Sequence, residues 1–388
     1  MKKKIVIIGS TGSIGLNTLK LINKEKNKYS VELLSTNKNV DIIVKQAKKF
    51  NVKHIIINDY KMFMFAKEKF KSDGMKFYNS FKIISKIFKN KKIHYSMISV
   101  VGLDGLLPTI KLIKHSQTIG IANKESIICG WNLINKELTK YKTIFIPIDS
   151  EHFSLFKLID TTKKDIVDKI YITASGGPFL NYSKKQIKKV TINDALKHPN
   201  WLMGKKISID SATMMNKVFE VIEAKNIFNL SYKDIKILIH RDSYIHAIIK
   251  LNGGIIKILC HEPDMKIPIY NSLFENDNLH LNSDNLNLKK INDLKLKFIS
   301  TRDFPLIKLL KYLPDINSLY ETVLVTINDY FVSKYLQKKI NFSQLIKFIQ
   351  VQSMSKVFLK FKKKKAKKVE DIYKIKDYVE LKLNSLGI

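Results

Sequence analysis

Two cysteines in 388 residues, Cys129 and Cys260, exclude a disulfide framework and a four-thiolate zinc site, and suit a reducing compartment, with the cytoplasm as the default. Long apolar runs are also missing. The opening "MKKKIVIIGS" imitates the basic start of a signal peptide, but its apolar run stops too soon for an export signal. No segment approaches the roughly 18 uninterrupted apolar residues of a membrane-spanning helix. Acid is scarce as well: 34 Asp and Glu stand against 69 Lys and Arg, a net charge of +35. Such a surface suits nucleic acid, an anionic membrane or phosphorylated small molecules. The basic residues are dispersed and not striped, however, and the one dense run, "KFKKKKAKK" at 360–368, lacks the interleaved aromatics and clustered arginines of base recognition. It reads as a solvated helix face or loop, and no nucleic-acid or membrane partner is expected.

What remains is a chain 45% hydrophobic, able to bury a large core and long enough for two or three domains. From residue 5 to 149, short β-rich runs ("IVIIGS", "SVELLST", "KHIIIND", "YSMISVVG", "QTIGIA", "TIFIPIDS") alternate with amphipathic stretches, the rhythm of βα units on a parallel sheet. Near "YITASGGPF" the texture changes to glycine pairs and clustered polar residues. Residues 276–293 are polar and unperiodic, and amphipathic helices follow from Phe304. The pattern is that of an α/β chain: βα units on a parallel sheet, a second domain carrying chemistry, and a helical terminal domain.

In "GSTGSIG", Gly9, Gly12 and Gly15 join a strand to a helix beginning near Ser13, which aims helix N-terminal N–H groups at the turn. The GxxGxxG spacing fits a phosphate cradle or a plain tight turn. The next strand ends in Ser35, Thr36, Asn37, Lys38 and Asn39, with no acid for a ribose 2′-hydroxyl, which favours NADPH over NADH. "PIDSEH" ends a predicted strand, and period two places Asp149 and Glu151 on one side of it. Like charges so close call for a hard cation, with Glu220 as the third carboxylate. Ser175, Ser211, Asn216 and Lys217 supply neutral donors and one cation for a phosphate monoester. "HPNWLMGKK" reads equally as a lid over a polar substrate or as a hydrophobic plug with a satisfied His198.

"GSTGSIG", "VGLDGLLPT", "ANKES", "DSEH", "SGGPF", "HPNWLMGKKISIDSATMMNK" and "EPDMKIP", in this order, resemble the 1-deoxy-D-xylulose 5-phosphate reductoisomerase family of the non-mevalonate isoprenoid pathway. The resemblance is strong from residue 5 to 275 and looser through "FPLIKLLKYL" to the terminus. It implies an NADP-dependent oxidoreductase that rearranges its substrate at a divalent metal (Mg2+, Mn2+ or Co2+) and reduces the aldehyde with NADPH to 2-C-methyl-D-erythritol 4-phosphate, in a homodimer. The fold it implies is α/β: a Rossmann-like NADPH-binding domain (1–149), an α+β connective catalytic domain with a flexible loop (150–278), a linker (279–300) and a C-terminal helical domain (301–388). By resemblance, Asp149, Glu151 and Glu220 are metal ligands. Ser175, Ser211, Asn216 and Lys217 form the phosphate site, Lys124 and Ser150 contact substrate oxygens, and His198 and Trp201 lie in the closing loop. Lys124, Asp149, Glu151, His198 and Glu220 are the catalytic set. Thr11, Gly12, Ser13, Ile14, Asn37, Lys38, Asn39, Asn123, Glu125, Gly204 and Met265 match cofactor positions. Three departures stand out: Asn37 replaces the glycine of the family's "GKNV", "HRDS" with Arg241 and Asp242 replaces "HPQS", and "VTIND" at 325–329 replaces "NAANE". The choice between retro-aldol and ketol rearrangement stays open, as does the preferred metal.

Two other classes make different demands. A plain NADP-dependent aldehyde reductase would turn over simple aldehydes without metal. A nucleic-acid binder would lose affinity steeply with salt.

Overall fold

Ile5 to Ile8 are fully buried, as expected of a strand covered on both faces of a parallel sheet. In the computed structural model, which describes residues 2–162, 164–201, 203–274, 280–282 and 285–388, this strand is β1 (Lys3–Ile8). The chain divides into two compact units: residues 1–126, 132–153 and 265–282 form one, and 127–131, 154–264 and 283–388 the other.

Among the described residues, the first unit carries a parallel sheet of β1, β2 (Tyr29–Thr36), β3 (His54–Ile57), β4 (Lys76–Tyr78), β5 (Ile93–Ile98), β6 (Ser116–Ile121) and β7 (Ile144–Pro147), in the order β4-β3-β2-β1-β5-β6-β7. Strand order reverses direction at β1, the place where doubly wound sheets bind ligands beyond their strand C-termini. The six runs picked out on sequence are all strands. β4 escaped notice because "KFY" is too short to show alternation. Residues 265–282, read on sequence as the end of the connective domain (to 278) and the start of the linker, belong to this unit. Tyr95 Oη and Ser272 Oγ share a 2.8 Å hydrogen bond, and Phe274 packs edge-on against Tyr29.

The second unit has a mixed sheet of β8 (Val167–Ala174), β9 (Ile235–Ile239), β10 (Ile245–Leu251), β11 (Ile256–Cys260) and β12 (Lys297–Phe298), ordered β11-β10-β8-β9-β12. β8 and β9 are parallel and the other pairs antiparallel. The stretch 279–300, read as a linker, thus contributes an edge strand paired to Leu238 and Ile239. Two residues of strand leave no period in a sequence. Helices Tyr320–Leu336, Phe342–Ser353 and Val369–Asn384 form the C-terminal bundle, with Val323, Leu345 and Val379 fully buried. In the 360–368 run Phe361 and Ala366 are buried while most lysines face solvent. No described helix is long and apolar enough to cross a membrane.

Candidate functional site

In the first unit the glycine turn leaves β1 through Gly9 at φ +90°, a conformation in which a side chain is strained. A Cβ on Gly9 would lie 2.8 Å from the Ser99 carbonyl, so the turn is pressed against the start of the neighbouring crossover. Gly9 N–H donates to Ser35 Oγ (2.9 Å) and Ser10 N–H to the Ser35 carbonyl (2.9 Å). Gly12 is the N-cap of helix Ser13–Lys24 and is exposed, with no side chain capping the helix's first N–H groups. Those donors suit an anion. Thr11 Oγ1 pairs with Thr36 Oγ1 at 2.8 Å, which brings the glycine turn to the tip of β2, where Asn37, Lys38 and Asn39 are exposed. Lys38 lies 3.6 Å from Asp59, an acid that sequence order gave no reason to place there.

Asn123 is wholly engaged. Its Oδ1 caps helix Lys124–Tyr141 at Ser126 N–H (2.9 Å), and its Nδ2 donates to the carbonyls of Val100 and Gly102 and to Glu125. Its side chain therefore fixes the loop after β5 and the orientation of Glu125. Ile14 is half-buried in the first turn of its helix, and Met265 is the N-cap of helix Lys266–Leu273.

The carboxylate pair is arranged for a different reason from the one expected. β7 stops at Pro147, so period two along a strand does not apply. Asp149 lies in the link, and Glu151 in the first turn of helix Ser150–Asp160. A helix start brings the two together: their carboxylate oxygens approach within 4.8 Å. Lys124 Nζ makes an ion pair with Asp149 Oδ2, and buried His152 reaches Asp149 Oδ1 through Nδ1 at 3.0 Å. Burial alone would push the Asp149 carboxyl up, but the Lys124 ammonium and His152 outweigh it and hold the group well below the usual carboxylate range. Ser150 Oγ donates to Glu151 Oε2 at 2.6 Å. Two hard carboxylates this close fit a divalent cation. His152 was missed as a supporting residue, although its i+3 spacing from Asp149 signals the contact.

In the second unit β8 ends in the turn Ser175-Gly176-Gly177, with φ +80° and +66° at the two glycines. A Cβ on Gly177 would stand 2.8 Å from the Ser211 carbonyl, so only glycine allows this turn to lie against the end of helix Lys205–Ala212. Met214, at φ +63°, breaks the helical run before helix Met215–Phe228. That helix carries Asn216, Lys217 and Glu220. Lys217 Nζ donates to the Thr173 carbonyl and to Glu220, and Asn216 Nδ2 also donates to Glu220. Asn216 Oδ1 is buried without a hydrogen-bond partner, an acceptor left for a ligand hydroxyl.

His198 and Ser175 form a directed pair. The N–H groups of Asn200 (3.2 Å) and Trp201 (3.0 Å) donate to His198 Nδ1. Burial, then the charges of Arg241 and Lys217, lower the imidazole pKa to about 4, so the ring is neutral and its proton sits on Nε2. Nε2–H is 3.0 Å from Ser175 Oγ, which also accepts Gly177 N–H at 3.2 Å. Both acceptor positions of the hydroxyl are thereby filled, and its own hydrogen is left to donate to an anion. Trp201 meets His246 edge-on, and His246 stacks on His261 with ring centres 3.8 Å apart. These histidines escaped the sequence reading because nothing marks them as neighbours of a loop tens of residues earlier. Gly204 is the exposed N-cap of helix Lys205–Ala212.

Comparison with known proteins agrees along the whole chain. Residues 5–130 match the family described as 1-deoxy-D-xylulose 5-phosphate reductoisomerase, and residues 145–228 and 261–380 match two C-terminal domains of the same enzyme. The 1-deoxy-D-xylulose 5-phosphate reductoisomerase of Pelagibacter ubique (strain HTCC1062) is 51% identical over 387 residues, covering 100% of both chains. That of Clostridium tetani (strain Massachusetts / E88) is 35% identical, covering 98% of this chain and 100% of its own. The Zymomonas mobilis reductoisomerase solved with NADPH superposes with a TM-score of 0.87 at 29% identity, covering 100% of this chain and 99% of that one. A reductoisomerase solved with NADPH, fosmidomycin and magnesium gives 0.91 at 27%, covering 99% and 98%.

Proposed function

The chain belongs to the 1-deoxy-D-xylulose 5-phosphate reductoisomerase family, and on that premise we propose how its residues divide the work of converting 1-deoxy-D-xylulose 5-phosphate to 2-C-methyl-D-erythritol 4-phosphate. It is an NADPH- and divalent-metal-dependent oxidoreductase of isoprenoid precursor synthesis. The observation that carries the assignment of roles is the close carboxylate pair Asp149 and Glu151, with Lys124 ion-paired to Asp149, where a plain reductase has no use for paired acids.

Asp149, Glu151 and Glu220 are the residues that would hold the metal. When bound, the metal supplies Lewis-acid polarisation of the substrate carbonyl, and NADPH supplies the hydride. The rest is done by the chain. Ser175, Ser211, Asn216 and Lys217 bind the phosphate, with the Ser175 hydrogen aimed by His198. Lys124 and Ser150 orient the substrate's oxygens. His198 and Trp201 belong to a loop whose closure excludes water, so phosphate binding supplies energy to order the site. Thr11, Gly12, Ser13 and Ile14 present the helix start to the cofactor's diphosphate. Lys38, flanked by Asn37 and Asn39, pairs with the 2′-phosphate, and Asn123, Glu125, Gly204 and Met265 complete the cofactor's surroundings.

The assembly we propose is a cytoplasmic homodimer. Edge strand β11 leaves Ile256 and Ile258 at 59% and 46% exposed, beside Ile255 at 62%, an apolar edge that a second copy would cover. The test follows NADPH absorbance with 1-deoxy-D-xylulose 5-phosphate in Mg2+ or Mn2+, then in chelator. Oxidation that stops on chelation is expected, and metal-independent turnover of simple aldehydes would overturn the reading.

A further inference from the structure

The turn at residues 240–243 has no place in the chemistry above, yet it ties together the two segments that present donors to the phosphate. Arg241 Nη1 donates to the carbonyls of Gly177 and, at 3.3 Å, Ser175. On its other side the Arg241 carbonyl accepts from Asn200 Nδ2 at 2.6 Å, and the same amide reaches Ser243 Oγ at 2.9 Å. Asn200 is the residue whose N–H, with that of Trp201, fixes the His198 ring. The turn itself is built stiff: Ser243 sits at φ +51° and its N–H closes on the His240 carbonyl at 3.2 Å.

We propose that Arg241 is a positioning residue for the substrate phosphate, acting through the Ser175-Gly176-Gly177 turn and the 198–201 loop. The inference rests on the phosphate-site reading above. In a trans peptide the N–H points opposite to the C=O. Pinning the Ser175 carbonyl to the guanidinium therefore turns the Gly176 N–H away from Arg241. Pinning the Gly177 carbonyl fixes the far end of a two-glycine turn that would otherwise move freely. The Gly177 N–H and the His198 ring then both converge on Ser175 Oγ, and its hydrogen stays directed at the anion. Arg241 is an exposed residue, so truncating its side chain opens no core cavity.

The test compares wild type with R241A, R241K and R241Q. It reads KM and kcat for 1-deoxy-D-xylulose 5-phosphate, the affinity for inorganic phosphate by calorimetry, and the melting temperature. Losing hydrogen bonds from a charged donor predicts that R241A raises KM and weakens phosphate binding by roughly tenfold, with kcat and melting nearly unchanged. R241K and R241Q each keep a donor for the carbonyls and recover part of the loss. Unchanged KM and phosphate affinity in R241A would overturn the proposal. So would rescue by R241K alone, which would make the effect one of charge and not of position. If the wild type does not turn over the ketose phosphate but R241A still weakens phosphate binding, the role of Arg241 stands and the substrate assignment falls.

Discussion

Replacing Gly15 with alanine tests whether the turn after β1 is held as rigidly as its hydrogen bonds imply. Gly15 is buried in the first turn of helix Ser13–Lys24, where alanine ordinarily stabilises by about 1 kcal/mol. Here the added Cβ would lie 2.4 Å from the Gly9 carbonyl oxygen and 2.5 Å from Ser10 Cα, roughly an ångström inside ordinary contact. Neither neighbour yields cheaply. Ser10 Oγ donates to Gln46 Oε1 at 2.7 Å, Gln46 Nε2 returns a bond to the Ser10 carbonyl at 2.9 Å, and Ser35 holds Gly9 and Ser10 from the far side. Overlap of this depth with backbone belongs at the upper end of overpacking costs, about 2–3 kcal/mol, which exceeds the helix gain and leaves a net loss of about 1–2 kcal/mol. For a unit of this size that corresponds to a melting point lower by roughly 2–8 °C. If the helix instead slides outward, its N-terminal N–H groups retreat from the turn and NADPH affinity falls by tenfold or more, read by fluorescence titration. Gly12→Ala is the control: its Cβ would be 3.5 Å from the same oxygen, an ordinary contact, so the fold is kept. A Gly15→Ala protein that melts at or above wild type and binds NADPH as tightly would refute the reasoning.

The neutral amides D149N, E151Q and E220Q should each lower kcat by more than the 10–100-fold typical of losing a metal ligand's supporting partner, with folding preserved by circular dichroism. K38A should cut the preference for NADPH over NADH by about tenfold in kcat/KM, because it removes the cation proposed for the 2′-phosphate. Gly177→Ala, whose Cβ would strike the Ser211 carbonyl, should raise KM for the phosphorylated substrate; an unchanged KM would show that the turn can move. Glu321 is fully buried, with one oxygen accepting from Ser318 and the other unpartnered, and burial raises its pKa to about 7 despite Ser318 and Lys225. The folded state then binds this proton more tightly than the unfolded chain, so the group destabilises as pH rises from its ordinary value of 4.5 to 7 and by a constant amount above. A rise of that size corresponds to about 3 kcal/mol, so E321Q should gain on wild type in denaturant melts between pH 4.5 and 7. Parallel curves across that window would contradict the assignment.

The sheet strands and the glycine turn were legible because a buried parallel strand and a βα turn write themselves in consecutive residues. Asp149 and Glu151 were found for a reason that proved mistaken, since β7 ends at Pro147 and a helix start, not a pleat, brings the carboxylates together. β4 and β12 stayed hidden, because so few residues carry no period.

By itself, then, the order of residues determined the βα repeat of the first unit and the family, and named the side chains proposed to bear the chemistry. These follow from local patterns and from motifs read in succession. Tertiary structure alone decided what surrounds those side chains: Lys124 against Asp149, Arg241 on the Ser175–Gly177 turn, the imidazole of His198 locked neutral onto Ser175, and residues 265–282 returned to the first unit. Such contacts join residues tens of positions apart. Their partners are chosen by packing and by the need of buried polar groups for hydrogen bonds, which act on the folded chain and leave no spacing in the sequence.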